Sequence, residues 1–353
     1  MRVLALVHED DAGPVAGSEV GNLYAHLPGT GEHSLLLCAH MDTVPARAPI
    51  EPRLIDGGWE NANDAILGAD NKAAVAVILA LARRLAQAPE PPRAGLELLF
   101  TVCEENGLRG AGAFDRSRLR SGFGYVFDQA SPIGEVIVAA PGYDLIEAEV
   151  RGRAAHAGLA PERGANAIAA AARAIAAMPL GRLDEQTTAN VGTIVGGSAP
   201  NVVAERCRLQ AEARGVSEQR LAAVVTEIID RLQEAADGAE CDLDVTVQRL
   251  FDGYRVAPGS RALAVAERAL EACGYRPARV SSGVGSDANA LRAKGFECLN
   301  LANGTERAHE PGERVSVDAL EGMLEVAIAL HAQVEMLGGH PVGAGARGQA
   351  GAR

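Results

Sequence analysis

The chain has few aromatic residues, no excess of positive charge and no long apolar segment. Phe, Trp and Tyr make up 3% of its 353 residues, which argues against a surface that binds bases or sugars by stacking. The formal net charge of −13 disfavours nucleic acid and anionic membranes as partners. The longest apolar run, "AAVAVILALA" from Ala73, has ten residues and is therefore too short to cross a bilayer.

Cysteine is scarce, and no targeting segment is visible. The six cysteines form no C-x-x-C pair; they are Cys38, Cys103, Cys207, Cys241, Cys273 and Cys298. Most stand inside predicted strands or helices, which predicts reduced, buried thiols in a cytoplasmic protein; a metal-ligating cysteine is the alternative. No short apolar segment follows a basic start, so we expect no signal peptide.

The apolar residues, 48% of the chain, alternate between strand-like and helix-like runs in the first 140 positions. Short runs bounded by turn residues predict strands at 34–40, 96–102, 125–128 and 135–140. An alanine-rich run predicts a helix at 71–87 that ends at "PEPP". Because continuous apolar strands alternate with a helix, we expect an α/β domain whose mostly parallel sheet is covered on both faces.

The pattern changes after "APG" at 140–142. "YDLIEAEVRG" alternates with a period of two, and the segments to 251 read strand–helix–strand–strand–helix–strand, which predicts a ferredoxin-like α+β unit. A helix at 260–273, strands at 278–282 and 298–302 and a helix from about Asp318 then resume the first pattern. We therefore expect one domain at 1–140 and 252–337, an inserted domain at 141–251, and a disordered tail at 338–353.

Residues that can bind metal ions collect where the predicted strands end. The candidates are His40, Asp42, Asp70, Glu104, Glu105, Asp128 and His309. Each alone also fits an ordinary role as a loop histidine, a helix cap or a turn carboxylate. Together, two histidines and several carboxylates at the edge of a parallel sheet match the ligands that two divalent cations need.

The adjacent Glu104 and Glu105 follow a strand that is predicted to be buried. Two carboxylates about 5 Å apart repel by roughly 3 kcal/mol at an effective dielectric of about 20, so a buried pair favours a bound cation; an open, solvated loop is the alternative. With cations present, one glutamate can bind metal while its neighbour accepts a proton from the activated water. Asp42, two residues beyond His40, can lie behind the imidazole and orient it.

Eight segments, in order along nearly the whole chain, resemble one known family. They are "LCAHMDTVP", "ILGADNKAAV", "FTVCEENGLRGA", "YVFD", "RAAHAGLAPERGANAI", "GTIVGGSAPNVV", "GSDANALRAKG" and "ERAHEPGERVSV". The family is that of the co-catalytic dizinc metallopeptidases, which includes peptidase T, aminoacylase, succinyl-diaminopimelate desuccinylase and glutamate carboxypeptidase. The segments "GSDAN" and "GGxxxN" are most similar to its peptidase T-like branch.

The resemblance implies an overall organisation. It implies an α/β zinc-peptidase catalytic domain, an inserted ferredoxin-like lid and dimerisation domain, and a homodimer. It also implies two divalent metal ions per chain, zinc or else manganese or cobalt. The chain departs from the family in one respect: relatives usually begin with an additional helix before the first strand, whereas "MRVLALVHEDDAG" starts beyond it, so we expect either a misassigned start or a shortened domain.

The resemblance also assigns roles to the metal-binding candidates. One metal would be held by His40, Asp70 and Asp128, and the other by Asp70, Glu105 and His309. Asp70 would therefore bridge the two ions, and its peptide bond to Asn71 would be cis. Asp42 would orient His40, and Glu104 would be the general base that accepts a proton from the water and delivers it to the leaving nitrogen.

Three further residues are candidates for substrate contact. His156 in "RAAHAG" matches a family histidine that reaches into the partner subunit and stabilises the oxyanion; by itself it also fits a loop histidine. Asn201, after the glycines of "GGSAPN", matches a substrate-contacting asparagine and also fits a turn. Arg255 in "DGYRVAPGS" either binds a substrate carboxylate or is a solvated arginine.

These observations predict a metal-dependent exopeptidase that acts on short peptides and is most like a tripeptide aminopeptidase. An amidohydrolase acting on N-acyl amino acids, or a dipeptidase or carboxypeptidase on the same scaffold, stays open. A two-metal phosphoesterase would need further His and Asn ligands that we do not find. A non-catalytic scaffold is at odds with the filled metal and base positions.

Overall fold

The apolar runs of the first half form the buried centre of a nine-stranded sheet in the computed structural model, which describes residues 5–337. The strands, in spatial order, are β1 (Ala5–Glu9), β2 (Leu23–Leu27), β6 (Gly95–Thr101), β3 (Ser34–His40), β7 (Phe123–Gln129), β16 (Glu297–Ala302), β8 (Glu135–Ala140) and β14 (Tyr254–Arg255), with β15 (Ala278–Ser281) beside β8. The central strands β6, β3, β7 and β16 are parallel, and most pairs nearer the edges are antiparallel. The expected α/β class is confirmed, and the expected parallel order holds in the centre of a mixed sheet.

Helices cover both faces of this sheet, because its central strands are apolar on both sides. The helices are α1 (Ala12–Ala16), α2 (Ala69–Gln87), α3 (Arg109–Ala113), α6 (Arg261–Ala272), α7 (Asp287–Ala293) and α8 (Val317–Leu337). Helices α2, α6 and α8 pack with the sheet into the largest core cluster. Ala288 and Leu291 of α7 belong to a second cluster, which includes Leu36, Val126 and Ile137 of the sheet.

A four-stranded antiparallel sheet lies beside this domain. It consists of β17 (Thr305–Glu306), β18 (Arg314–Ser316), β5 (Gly58–Asn61) and β4 (Pro52–Ile55). It pairs segments from the two halves of the chain that flank the inserted domain. The loop between β17 and β18 carries His309.

Residues 142–251 form a separate antiparallel sheet with two helices. Its strands, in spatial order, are β10 (Gly181–Asp184), β11 (Thr187–Gly196), β12 (Arg206–Gly215), β9 (Gly142–Arg151) and β13 (Asp242–Phe251). The helices are α4 (Ala167–Ala177), capped by Asn166, and α5 (Glu218–Asp237), capped by Ser217. Burial alternates along β9, so one face of the sheet packs on the helices while the other faces outward. Apart from the additional strand β10, this is the expected ferredoxin-like order.

Several elements were not predicted from the sequence. The strands β1, β2, β4, β5, β17 and β18 and the helices α1, α3 and α7 are short or partly exposed, and their periodicity is correspondingly weak. The predicted tail at 338–353 lies outside the described residues. Among the helices at 5–337, none combines the length and apolar character needed to cross a membrane. All six cysteines are free thiols, four of them buried.

Candidate metal centre

The metal-binding candidates meet at the carboxyl-terminal edge of the parallel strands. Strand β3 ends at His40 and lies between β6 and β7. The loop after β6 carries Glu104 and Glu105, and β7 carries Asp128 near its end. Because parallel strands finish at the same edge of a sheet, these residues converge although they are distant in sequence. Asp70, at the start of α2, and His309, from the β17–β18 loop, complete the group.

Asp70 lies between the two histidines and faces each with a different oxygen. Its Oδ1 is 3.2 Å from Nε2 of His40, and its Oδ2 is 3.2 Å from Nε2 of His309. On one side, His40 Nε2 is also 3.4 Å from Oδ1 of Asp128. On the other side, His309 Nε2 is 2.9 Å from Oε1 of Glu105. The cluster thus has two halves that share one carboxylate, and the peptide bond between Asp70 and Asn71 is cis.

Asp42 is used differently from the sequence-based expectation. Its backbone oxygen, at 2.9 Å, makes the hydrogen bond to Nδ1 of His40, while its carboxylate Oδ1 is 3.6 Å from that nitrogen. The carboxylate instead accepts hydrogen bonds from the backbone N–H groups of Glu104 and Glu105, at 3.1 and 3.2 Å. Asp42 therefore orients the histidine mainly through its main chain, and its side chain holds the pair of glutamates in place.

Burial and crowding dominate the electrostatics of the cluster. Burial, together with the nearby charge of Asp128, raises the pKa of Glu104 well above its usual range. Burial also raises the pKa of Asp128 to about 7, even though His40 opposes this. Burial lowers the pKa of His40, but the carboxylates around it, Asp128 foremost, raise that pKa well above its ordinary value. Protons thus relieve the repulsion among these carboxylates, which is a task that cations can take over.

The other half of the cluster is more exposed and behaves as an ion-pair group. The hydrogen bonds that Asp70 and Glu105 accept from His309 raise the pKa of this histidine to about 10. Burial raises the pKa of Asp70, but hydrogen bonds from His309 and His40 outweigh it and leave that pKa below its usual value. The side chain of His309 is 48% exposed, compared with 1% for His40, so this half is the side open to solvent.

Two backbone conformations at the cluster are unusual for residues with a side chain. Cys103, directly before the two glutamates, has a φ of 53°, and His309 itself has a φ of 68°. Non-glycine residues in this left-handed region cost about 1–3 kcal/mol each and concentrate at functional sites. The surrounding contacts therefore hold both loops in conformations that place their side chains in the cluster.

Glu313 is a residue of the site that the sequence analysis missed. It is 1% exposed, and its Oε2 accepts hydrogen bonds from the backbone N–H groups of Leu67 and Gly68, at 2.8 and 2.7 Å. Its Oε1 accepts from the N–H of Asp70 at 2.8 Å. The loop that carries Asp70 is therefore tied to the loop that carries His309. In the sequence, "HEPGER" resembles a solvated charged turn, and no local pattern distinguishes Glu313 from Glu310.

The donor set fits a pair of divalent cations. Ligand atoms of His40, Asp70 and Glu105 lie within 4.8 Å of one another, and so do those of His40, Glu104 and Asp128. Imidazole nitrogens and carboxylate oxygens suit zinc and manganese, and a shared carboxylate allows two adjacent ions to be bound by few residues. Asn71 donates to Asp128 at 3.1 Å, and Asn300 accepts from the N–H of Asp128 at 2.9 Å, so this candidate ligand is itself oriented.

The three predicted substrate-binding residues lie outside this cluster. His156 and Asn201 are exposed and stand on neighbouring loops of the inserted domain, where Ala157 N–H donates to the oxygen of Asn201 at 2.9 Å. Arg255 belongs to β14 and donates from Nη2 to Gln186 of the inserted domain at 2.9 Å. Arg255 is thus placed in a contact between domains rather than beside the metal-binding candidates, and its predicted role in substrate binding is still only a prediction.

Comparison with known proteins identifies the class of the chain. The model of the M20 peptidase dimerisation domain matches residues 139–240, and that of peptidase family M28 matches residues 22–134. The structure of aminopeptidase PepT from Bacillus cereus is similar with a TM-score of 0.84 at 39% identity, covering 93% of this chain and 88% of that one. The structure of a tripeptidase from Staphylococcus aureus is similar with a TM-score of 0.86 at 32% identity, covering 94% of this chain and 88% of that one.

A curated relative extends the comparison in sequence. The uncharacterized protein YqjE of Bacillus subtilis is 35% identical over 325 residues, which cover 92% of this chain and 87% of that protein. The fold and these likenesses define a peptidase, a hydrolase with metallo-exopeptidase relatives. The chain belongs to the M20/M28 dizinc peptidase family, in its peptidase T-like branch. Its expected family resemblance is therefore confirmed.

Proposed function

We propose that this chain is a dimetal aminopeptidase that removes the N-terminal residue from short peptides, tripeptides above all. The observation that carries the proposal is Asp70, which turns one oxygen to each of two histidine-containing halves. Glu104 is beside this arrangement, on a loop held by Asp42. The names of the two similar structures, an aminopeptidase and a tripeptidase, support the choice of substrate.

The proposed ligands divide into two sets that share Asp70. His40, Asp70 and Asp128 would hold one ion, and Asp70, Glu105 and His309 the other. Zinc is the proposed metal because mixed imidazole and carboxylate ligands suit it, and manganese or cobalt would suit the same donors. When bound, the ions supply Lewis acidity toward the scissile carbonyl and lower the pKa of water.

Glu104 is the proposed general base. Its carboxylate is next to the candidate ligand Glu105, so it can accept the proton that the attacking water loses. The same carboxyl group then delivers this proton to the leaving nitrogen.

His156 and Asn201 are proposed to complete the site from the inserted domain. His156 would donate a hydrogen bond to the oxyanion, and Asn201 would contact the substrate. Both are exposed, which suits residues that act on a second copy of the chain. Strand β10 pairs only with positions 187–189 of β11, so within the described residues the edge at 190–196 has no strand beside it. Exposed Ile194 and Val195 on this edge support a homodimer formed there.

The test joins metal analysis and hydrolysis on one preparation. Wild type is expected to carry close to two divalent ions per chain and to cleave Ala-Ala-Ala from its amino end. Glu104→Gln is expected to keep the metals and to lose about 10²–10⁴-fold in kcat. Asn106→Ala, one loop position beyond the pair, is the matched control. Cleavage of N-acetyl amino acids without peptide cleavage would replace the proposal by a deacylase, and an absence of metal binding would end it.

A further inference from the structure

One side-chain amide contacts both of the segments that connect the two domains. Asn289, in the first turn of α7, is 1% exposed. Its Nδ2 donates to the backbone oxygen of Pro141 at 3.1 Å and to that of Asp252 at 2.9 Å. Pro141 directly precedes β9, and Asp252 directly follows β13. We call the two connections between the domains the outgoing crossing, residues 140–143, and the returning crossing, residues 251–254. The same nitrogen of Asn289 joins both crossings to the large domain.

The chemistry of this contact requires an asparagine. The side-chain oxygen of Asn289 accepts from the N–H of Ser286 at 3.1 Å, while both amide protons go to the two crossings. An aspartate has the same shape and can accept, but when ionised it donates nothing. The crossings also touch each other, since a Cβ on Gly253 would lie 2.6 Å from the nitrogen of Gly142. Asn289 thus binds a closely packed pair of chain segments.

The same turn of α7 also reaches the strands of the metal centre. Asp287 is fully buried and accepts hydrogen bonds from Oγ1 of Thr101 and, at 3.9 Å, from Sγ of Cys38. Thr101 is the last residue of β6, and Cys38 is two residues before His40. Asp287 and Asn289 of "GSDAN" therefore link two regions. Asp287 contacts the strand ends near the metal-binding candidates, and Asn289 contacts the crossings to the inserted domain.

A second contact joins the returning crossing to the loop of the glutamates. Phe251, the last residue of β13, packs on a small apolar cluster of Leu108, Ala111 and Ala290. Leu108 follows Glu104 and Glu105 on the same loop, and Ala290 is the neighbour of Asn289 in α7. A movement of the crossing would consequently disturb this loop as well.

We propose that Asn289 is a positioning residue, which sets where the inserted domain stands relative to the metal centre. It touches no reacting group and acts through the two crossings. Its kinetic consequence rests on the proposed function, because that function places substrate contacts on the inserted domain. Its mechanical consequence does not, since the hydrogen bonds to both crossings exist whatever the substrate is.

The variant that tests this is Asn289→Asp, studied in the full chain. It keeps the oxygen that accepts from Ser286 and loses both donated hydrogen bonds. Asn166→Ala is the matched control, because Asn166 caps α4 by accepting from Ala169 N–H at 3.0 Å and has no part in the crossings. In Asn289→Asp, hydrogen exchange at 140–143 and 251–254 is expected to accelerate at least about tenfold, while the rest of the large sheet and the metal content stay as in wild type.

Kinetics with Ala-Ala-Ala distinguish positioning from simple loss of folded protein. The KM of Asn289→Asp is expected to rise about tenfold, whereas a smaller folded fraction would lower kcat and leave KM unchanged. Unchanged exchange at both crossings, or faster exchange across the whole chain, overturns the proposal. Faster exchange at the crossings with an unchanged KM overturns its kinetic part. If exchange at the crossings is faster in Asn289→Asp but the wild type cleaves no peptide, the positioning role is supported and the proposed function is contradicted instead.

Discussion

The candidate metal centre and the loops of the inserted domain that carry His156 and Asn201 are built in opposite ways. In the metal centre, strand ends, a helix start and two strained loops hold the side chains, and Asp42 and Glu313 fix the loop backbones. On the inserted domain, His156 is exposed, and the hydrogen bond that its Nδ1 accepts comes from Gly158 in its own loop. The buried core thus preorganises the candidate metal centre, whereas the loops of His156 and Asn201 are exposed and have no comparable support from the core.

The largest effect should come from the carboxylate shared by the two halves of the centre. Asp70→Ala is expected to lower the metal content below one ion per chain and to reduce peptide hydrolysis by about 10²–10⁴-fold or more, because both proposed sites lose a ligand. Asp64→Asn, an exposed carboxylate of the same loop region, should change neither quantity. Metal analysis after gel filtration and initial rates check this. A variant with two tightly held ions would contradict the bridging role.

The exposed loops of the inserted domain are tested by His156→Ala. Loss of one oxyanion donor is expected to lower kcat by about 10²–10³-fold without changing metal content or thermal stability. If His156 acts on the partner subunit, mixing this variant with Glu104→Gln should restore part of the activity, because one site of each mixed dimer is then complete. Two inactive variants that stay inactive after subunit exchange would show that His156 acts within its own chain or not at all.

Glu313 tests how far the metal centre depends on residues that do not touch metal. Glu313→Gln replaces one of the accepting oxygens by a donor that faces backbone N–H groups. We expect metal affinity to fall about 10–100-fold and the free energy of unfolding to fall by about 1–3 kcal/mol. Glu310→Gln, exposed in the same loop, is the matched control. Chelator competition and thermal denaturation measure the two effects, and equal behaviour of the two variants would argue against the positioning role.

The smallest expected effect is a difference between the two domains in how their stability depends on pH. His331 is buried in α8, contacts the oxygen of Ala94 at 3.0 Å, and has its pKa lowered by burial. As the pH falls through about 6.5, the unfolded chain therefore binds a proton at His331, whereas the folded chain keeps this histidine neutral. The stability that depends on neutral His331 is present above about pH 6.5 and is lost as the pH falls. His331→Gln, which can still donate to Ala94, should lose less stability than wild type between about pH 7.5 and about pH 5.5.

Urea unfolding followed by tryptophan fluorescence measures this difference. Trp59, the sole tryptophan of the sequence, lies in the four-stranded sheet whose β17–β18 loop carries His309, and so reports on the large domain. The inserted domain has one histidine, the exposed His156, and therefore offers no comparable acid-sensitive group of that type. An identical pH dependence of wild type and His331→Gln would remove His331 as a source of acid sensitivity.

Much of the fold could be predicted because it depends on local periodicity. Buried parallel strands such as Ser34–His40 are continuous apolar runs, and Gly142–Arg151 alternates because one face of its sheet is exposed. The predicted strands also indicated where the metal-binding candidates would lie. Polar residues directly after buried parallel strands meet at one edge of the sheet. The short strands around residues 52–61 and 305–316 escaped prediction because they are stabilised by each other rather than by a local pattern.

The sequence by itself predicted the α/β class, an inserted unit and the residues that converge at the candidate metal centre. Only the tertiary structure decided that Asp42 holds the two glutamates, that Glu313 ties down the loop of Asp70, and that Asn289 bonds both crossings. The reason is the range of the interactions. Periodicity acts over a few neighbouring residues, whereas the hydrogen bond from Gly68 to Glu313 spans 245 positions and exists only once the chain is folded.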